Sequence, residues 1–281
     1  MKKRNAIYWA FACCMVLLSA CQSGNKQEDQ STEKEVSPKA VKVKGEEVTY
    51  ETDSTTMKGY IAYDENQEGK RPGILVIHEW WGHNEYVRER ADMLASLGYT
   101  ALAVDMYGDG KQAEHPDDAG KFATSVMTNL PAAKARFESA MALLKSNPTV
   151  DGEKIAAIGY CFGGSVALTM ANAGADLDAV AAFHSGIQLP VMPTEQLTAK
   201  VLVCNGAADP FIKPEHVTTF KAMMDGVNAD YEYIAYDSAV HGFTSKGADA
   251  LGEKFNMPLA YNETADEQSW NELKKLLTSV F

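Results

Sequence analysis

Continuous apolar runs alternate along the chain with stretches in which apolar residues recur at helical spacing. A run that is apolar at nearly every position is typical of a strand buried on both faces. Such runs predict strands at 73–78, 99–104, 155–158, 179–183, 200–204 and 231–236. Helical spacing predicts helices at 84–97, 117–129, 131–145, 161–172, 214–225 and 263–281. Strict alternation at 48–52 and 57–61 indicates an antiparallel hairpin at one edge of the sheet. We therefore expect an α/β fold with a doubly wound, mostly parallel sheet and helices on both faces.

One glycine-rich turn joins the predicted strand at 155–158 to the helix that follows it. It has the pattern G-x-C-x-G, with Cys161 between Gly159 and Gly163. This is the nucleophile elbow with sulfur in place of the serine oxygen. Glycines are expected there because a Cβ two residues either side of the nucleophile would collide with the neighbouring strand and helix. The alternative is a buried structural cysteine in a glycine-rich turn.

An acid and a base follow later strands in the order that such an elbow requires. Asp209 follows the strand at 200–204, and His241 follows the strand at 231–236. Histidine is suited to proton transfer near neutral pH, and an aspartate can fix its tautomer. The order nucleophile, acid, histidine is that of α/β-hydrolases, so we predict an α/β-hydrolase fold with these three residues as its triad. Taken alone, Asp209 would equally suit a turn or a helix N-cap.

The loop after the strand at 73–78 carries Glu79, Trp80 and Trp81. In α/β-hydrolases this loop and the residue after the nucleophile supply the oxyanion-hole amides. We predict these to be the backbone N–H groups of Trp80 and Phe162. Glu79 would then lie beside Cys161, where a carboxylate could raise the pKa of the thiol or accept its proton. The alternative is a loop carboxylate in solvent.

The first 45 residues have the composition of a leader and a tether rather than a fold. Residues 1–20 have a basic start and an apolar stretch too short to span a membrane comfortably, which predicts a signal peptide. Cys21 follows Leu-Ser-Ala, a pattern that resembles a bacterial lipobox, so we expect it to carry lipid. An ordinary secretory signal is the alternative. We predict that residues 21–45 are the lipidated cysteine and a disordered tether. We predict that residues 46–281 form the folded domain. Gln22 favours the outer membrane of a Gram-negative bacterium.

Charge narrows the set of partners. The 281 residues carry a formal net charge of −12, and loss of Lys2, Lys3 and Arg4 with the leader would make it −15. This argues against binding nucleic acid, and against binding anionic lipid by charge. We expect attachment to the membrane only through the lipid on Cys21, and a monomeric domain.

The remaining chemistry-bearing motifs are few. Cys161 and Cys204 are the cysteines of the predicted domain, and Cys204 lies in an apolar strand, which favours a reduced core residue over a disulfide. His78 and His83 flank Glu79 but lack the spacing that places two metal ligands on one helix face. No Walker or dinucleotide glycine loop is present, so we expect no metal and no cofactor.

These motifs together resemble the dienelactone hydrolase family, over about residues 46–281. The resemblance is carried by His-Glu-Trp-Trp-Gly at 78–82, Asp-Met-Tyr at 105–107, Gly-Tyr-Cys-Phe-Gly-Gly at 159–164, Asp209 and His-Gly-Phe at 241–243. It implies a Cys-His-Asp triad. It also implies that Glu79 holds Cys161 in an inactive pose until substrate binds, and then takes part in forming the thiolate.

The chain departs from the namesake enzymes at two arginines that grip the carboxylate of dienelactone. The segments that would carry them, 105–110 and 241–245, contain no arginine, although Lys246 is close. Lysine does not replace a bidentate arginine equivalently. Aromatic residues at the expected mouth instead suggest an apolar or ring-bearing ester or lactone, with Trp81, Tyr107, Phe211 and Phe243 as pocket residues beside Trp80.

The leading hypothesis is thus a cofactor-free ester or lactone hydrolase that works through a thioester on Cys161. The alternative is a lipid-tethered binding module on a hydrolase fold, with little or no turnover. A redox-sensing role for Cys161 is a third and weaker option.

Overall fold

The computed structural model describes residues 40–52 and 54–281. The predicted signal peptide at 1–20, the lipidated Cys21 and most of the predicted tether lie outside these residues. The tether was expected to end at residue 45. Strand β1 in fact begins at Val43, because Val43, Lys44 and Gly45 already pair with the next strand.

Eight strands and seven helices follow in chain order within the described residues. The strands are β1 (Val43–Thr52), β2 (Thr55–Asp64), β3 (Arg71–Ile77), β4 (Thr100–Val104), β5 (Val150–Tyr160), β6 (Ala179–Phe183), β7 (Lys200–Gly206) and β8 (Tyr231–Tyr236). The helices are α1 (Glu85–Ser96), α2 (Pro116–Met127), α3 (Leu130–Ser146), α4 (Phe162–Asn172), α5 (Pro214–Gly226), α6 (Ala248–Phe255) and α7 (Glu263–Val280). Of these helices, α6 is the one that the sequence pattern did not predict.

The strands form one sheet in the order β1-β2-β4-β3-β5-β6-β7-β8. The pairs β1–β2 and β2–β4 are antiparallel, and every pair from β4 to β8 is parallel. The hairpin therefore lies at one edge, as predicted, and the sheet is mostly parallel. Crossover helices are needed to join parallel strands, which is why helices cover both faces.

Both faces of the sheet are buried against helices. In β3, Leu75 and Ile77 face one core, which includes Phe137 of α3 and Phe220 of α5. Ile74 and Val76 face the other core, which is closed by α1 and α7. An apolar run without alternation is what a strand buried on both sides requires. The carboxyl ends of the six parallel strands lie at the same edge of the sheet, so the residues that follow them meet there.

Candidate active site

The nucleophile elbow has the geometry that the glycine pattern predicts. Cys161 lies between β5 and α4 with φ 53° and ψ −116°, a conformation that side-chain-bearing residues rarely adopt. A Cβ on Gly159 would come within 2.2 Å of the Gly163 backbone, and one on Gly163 within 2.3 Å of the Ile77 carbonyl oxygen. The turn can therefore pass between β3 and α4 only with glycine at both positions.

The three predicted triad residues meet at the carboxyl edge of the sheet. The Cys161 Sγ is 3.0 Å from Nε2 of His241, and the His241 Nδ1 is 2.8 Å from Oδ2 of Asp209. The Asp209 carboxylate is fully buried, and its Oδ1 accepts a hydrogen bond from the backbone N–H of Phe211. An Nδ1–H that donates to Asp209 leaves Nε2 free to accept the proton of the thiol.

The electrostatics of the pair favour proton transfer from sulfur to nitrogen. Burial opposes a charge on His241, but the Cys161 sulfur and the hydrogen-bonded Asp209 carboxylate outweigh it and raise the pKa of His241 to about 10. Cys161 also lies at the N-terminus of α4, the positively polarised end of the helix.

Glu79 lies in the site, but it does not hold the thiol. Its buried carboxylate lines a small cavity with Cys161 and His241. The Cys161 Sγ faces His241, and among the described residues no hydrogen bond joins it to Glu79. The inactive pose implied by the family resemblance is thus not the one observed. Burial raises the pKa of Glu79 to about 7, against the lowering effect of His241 and Arg90.

The predicted oxyanion donors are free to bind an oxygen. The backbone N–H groups of Trp80 and Phe162 have no acceptor within residues 40–52 and 54–281. The Trp80 carbonyl accepts a hydrogen bond of 2.9 Å from the Tyr107 hydroxyl. His78 connects the same loop to the segment after β4. Its Nδ1 lies 2.5 Å from the Glu79 carbonyl oxygen, and its Nε2 accepts from the Met106 N–H. Burial lowers the pKa of His78 to about 4, so the ring is neutral.

A buried polar cluster supports the His241 loop, and the sequence reasoning missed it. Arg90 of α1 donates to the Thr244 carbonyl at 2.5 Å and to the Asp266 carboxylate at 2.7 Å. His184, directly after β6, has its Nε2 2.7 Å from the Thr244 hydroxyl, and its ring contacts that of His241 edge-on at 5.3 Å. The only feature of the sequence that could have indicated His184 is its position, because it follows a strand as Asp209 and His241 do.

His184 also lies near Glu79, at 3.9 Å between Nε2 and Oε1. The two do not form an ion pair, since burial and the positive charges of His241 and Arg90 hold the pKa of His184 well below its usual value. His184 therefore adds no charge beside the Glu79 carboxylate.

A cleft of about 690 Å³ opens on the other side of Cys161. Trp80 and Phe162 form its inner end, and Met127, Met192 and Met223 form much of its wall.

The four aromatic residues predicted for the substrate pocket do not line this cleft. Phe243 is fully buried in the core formed with α7, and Tyr107 is buried against His78 and Phe162. Trp81 is buried and stacks on Phe255 of α6, next to the small cavity. Phe211 is half exposed, with its ring edge-on to that of His241. An aromatic residue beside a site motif can either pack the loop or contact a substrate. In the structure, Trp81, Tyr107 and Phe243 are buried by packing.

Three further findings concern the described residues. Cys161 and Cys204 are both free, and burial raises the pKa of Cys204 to about 12. No group of three or more His, Cys, Asp or Glu side chains there could hold a metal ion. Nor does any helix from residue 40 onward combine the length and apolar character that crossing a bilayer requires.

The sheet order, the elbow and the arrangement of Cys161, His241 and Asp209 define an α/β-hydrolase. A family model described as "Dienelactone hydrolase family" matches residues 57–281. The chain therefore belongs to the dienelactone hydrolase family, and this membership identifies it as an ester or lactone hydrolase.

This chain can be aligned with most or nearly all of the length of several relatives. A structure named m3DLH is 36% identical and has a TM-score of 0.81 over 85% of this chain and 99% of that one. A dienelactone hydrolase-like promiscuous phosphotriesterase from metagenomic libraries is 33% identical, with a TM-score of 0.79 and the same coverage. A protein of Aquifex aeolicus named for carboxymethylenebutenolidase activity is 26% identical over 72% of this chain and 88% of that one.

Proposed function

We propose that the chain hydrolyses esters or lactones with a Cys-His-Asp triad and a thioester intermediate on Cys161. The observation that carries the proposal is the unbroken chain of contacts from the Cys161 Sγ to His241 at 3.0 Å and on to Asp209 at 2.8 Å. The free N–H groups of Trp80 and Phe162 support it. A binding module with little turnover would have no need for both oxyanion donors to stay free beside a formed triad.

In the first step, the thiol proton passes to the His241 Nε2 and the sulfur attacks the carbonyl carbon. The carbonyl oxygen becomes an oxyanion, which the N–H groups of Trp80 and Phe162 stabilise. As the intermediate collapses, the C–O bond breaks and His241 gives its proton to the leaving oxygen. The products are an alcohol and a thioester on Cys161. With a lactone, the alcohol stays attached to the acyl chain.

In the second step, His241 takes a proton from water, whose oxygen attacks the thioester carbon. The C–S bond breaks, the carboxylic acid leaves and the proton on His241 returns to sulfur. Asp209 accepts the hydrogen bond of the His241 Nδ1–H and stabilises the imidazolium that forms twice in each cycle. Neither step changes an oxidation state or requires a co-reactant other than water.

The test is trapping of the acyl-enzyme on an activated aryl ester. We expect a burst of phenolate, a mass increase equal to one acyl group on Cys161, and loss of both after iodoacetamide. Cys161→Ala should be inert. The matched control is Cys204→Ala, at the buried cysteine of β7, which should keep the burst. Full turnover by Cys161→Ala would overturn the proposal.

We further propose that the enzyme is a lipoprotein of the cell envelope, held by lipid on Cys21. The support is the lipobox-like sequence that ends at Cys21 and the polar stretch that follows it. Expression in a Gram-negative host with labelled palmitate should put label in the full-length chain and place the chain in the outer-membrane fraction. Cys21→Ala should abolish labelling and release the protein, whereas Cys13→Ala should not. Unlabelled wild-type protein in the periplasm would contradict the anchor.

A further inference from the structure

We infer that the cleft beside Cys161 selects esters of uncharged, apolar carboxylic acids and rejects acids that carry a second carboxylate. This inference rests on the proposed acylation of Cys161 and adds the substrate class. Three observations support it: the side of the sulfur on which the cleft lies, the composition of its wall and the state of its polar groups.

The position of the cleft assigns it to the acyl group. The alcohol of an ester must leave next to His241, because this residue protonates the leaving oxygen. His241 lines the small cavity with Glu79 but does not line the large cleft. The cleft instead begins at Cys161 and at the oxyanion donors of Trp80 and Phe162. The part of the substrate that extends into it is therefore the acyl chain.

The wall of the cleft is mostly apolar and carries no permanent charge. Its methionines come from α2, from the segment after β6 and from α5, and Ile187, Leu189 and Pro190 complete the segment after β6. Among the described residues that line it there is no Lys, Arg, Asp or Glu. A carboxylate that entered would lose hydration without gaining an ammonium or guanidinium partner, whereas an alkyl chain would be buried favourably. Methionine side chains adapt to apolar groups of different shape.

The polar side chains in the wall are Ser165, Gln188, His216 and Thr219, and none of them carries a permanent charge. The Ser165 hydroxyl donates to the Gly186 carbonyl at 2.8 Å, and the Thr219 hydroxyl donates to the Glu215 carbonyl at 2.8 Å. Both donors are thus already used by the backbone. The net charge of −12 opposes the approach of an anion from a distance as well. The volume of about 690 Å³ lies within the usual range for small-molecule sites, which is ~300–1,000 Å³.

The first test compares two p-nitrophenyl esters of equal acyl length, the octanoate and the monoester of octanedioic acid. We expect kcat/KM for the octanoate to be at least about tenfold higher, since the second ester must place a carboxylate in the apolar wall. Equal kcat/KM values, or a preference for the charged ester, would overturn the inference while leaving the hydrolase intact. Failure of both esters to acylate Cys161 would instead overturn the proposed function.

The second test places a cation in the cleft. Thr218 and Thr219 are both exposed on α5, and both hydroxyls donate to the carbonyl four residues earlier, but of the two only Thr219 lines the cleft. Thr219→Arg should lower the preference for the octanoate at least about tenfold, because the guanidinium can pair with the second carboxylate. Thr218→Arg adds the same charge outside the cleft and should leave the ratio within about twofold, as screening weakens distant charges. An equal change in both variants, or no change in Thr219→Arg, would overturn the inference.

Discussion

The two sides of the Cys161 sulfur differ in almost every physical respect. On one side lies a buried polar region, in which hydrogen bonds hold His241 and Asp209 and the carboxylate of Glu79 is buried. On the other side, a cleft walled by methionines and aliphatic residues is open to solvent, and Met192 is 55% exposed. The first region fixes its triad by hydrogen bonds, and the second has no Lys, Arg, Asp or Glu in its wall.

This difference separates the chemistry from the choice of substrate. The polar side depends on short contacts that tolerate little change, since proton transfer requires the donor and acceptor within hydrogen-bond distance. The apolar side depends on area and shape, which vary gradually with the size of a side chain. Substitutions on the polar side should therefore affect all substrates alike, and those in the cleft should affect one acyl group relative to another.

The largest effect is expected from Asp209→Asn. The Phe211 N–H holds the asparagine oxygen at the Oδ1 position, so the asparagine NH2 group faces the His241 Nδ1 and donates to it. The imidazole then adopts the tautomer that carries its proton on Nε2, facing the sulfur. By comparison with other triads, kcat should fall roughly 10³- to 10⁴-fold for every ester tested. The measurement is single-turnover acylation of Cys161 with a short and a long acyl ester.

Asp237→Asn is the matched control for this experiment, because Asp237 is exposed in the turn that leads from β8 to His241. It should keep the wild-type rate. Circular dichroism should show that both variants are folded. If Asp209→Asn slowed only the long ester, the claim that substitutions on the polar side affect all substrates alike would be wrong.

A smaller effect, on stability, is expected at Glu79. Burial raises its pKa from 4.5 to about 7, so the folded chain keeps a proton that the unfolded chain loses over this range. Stability should therefore fall as pH rises from 4.5 to 7, by roughly 3 kcal/mol or less. Glu79→Gln is neutral and removes this loss. Its free energy of unfolding should match the wild type near pH 4.5 and exceed it at pH 7.5.

Urea unfolding at the two pH values measures this difference. Glu89→Gln, at an exposed glutamate of α1, is the control and should show no pH-dependent gain. A Glu79→Gln variant less stable than the wild type at pH 7.5 would mean that the carboxylate stabilises the fold through its charge. Burial would then not be the dominant influence on this carboxylate.

The sequence predicted most of the polar side because its residues have strong local signatures. Gly159 and Gly163 are required by close approach of the backbone, and such a requirement is visible in a short motif. Asp209 and His241 were found from their places after successive strands. The sheet could be predicted equally well, since a strand buried on both faces, such as β3, is apolar at almost every position.

The supporting residues and the cleft could not be predicted in this way. Arg90 contacts Thr244 and Asp266, which are 154 and 176 residues away in the chain, so no local pattern connects them. Helix α6 is only eight residues long and has few buried side chains to mark it. The cleft is formed by α2, α5 and the segment after β6, and its methionines have no motif that distinguishes them from core residues.

The smallest effect is expected within the cleft, at Met127. Its side chain lies at the end of α2 and lines the wall, so Met127→Trp should shorten the space available to the acyl chain. We expect kcat/KM for a p-nitrophenyl octanoate to fall roughly tenfold and that for the acetate to change less than about twofold, as is usual for size selection in apolar pockets. Met93→Trp, at an exposed methionine of α1 that does not line the cleft, should leave both values unchanged. An equal fall for both esters in Met127→Trp would show that the wall is coupled to the polar side. Catalysis and the selection of the acyl group would then not depend on separate regions.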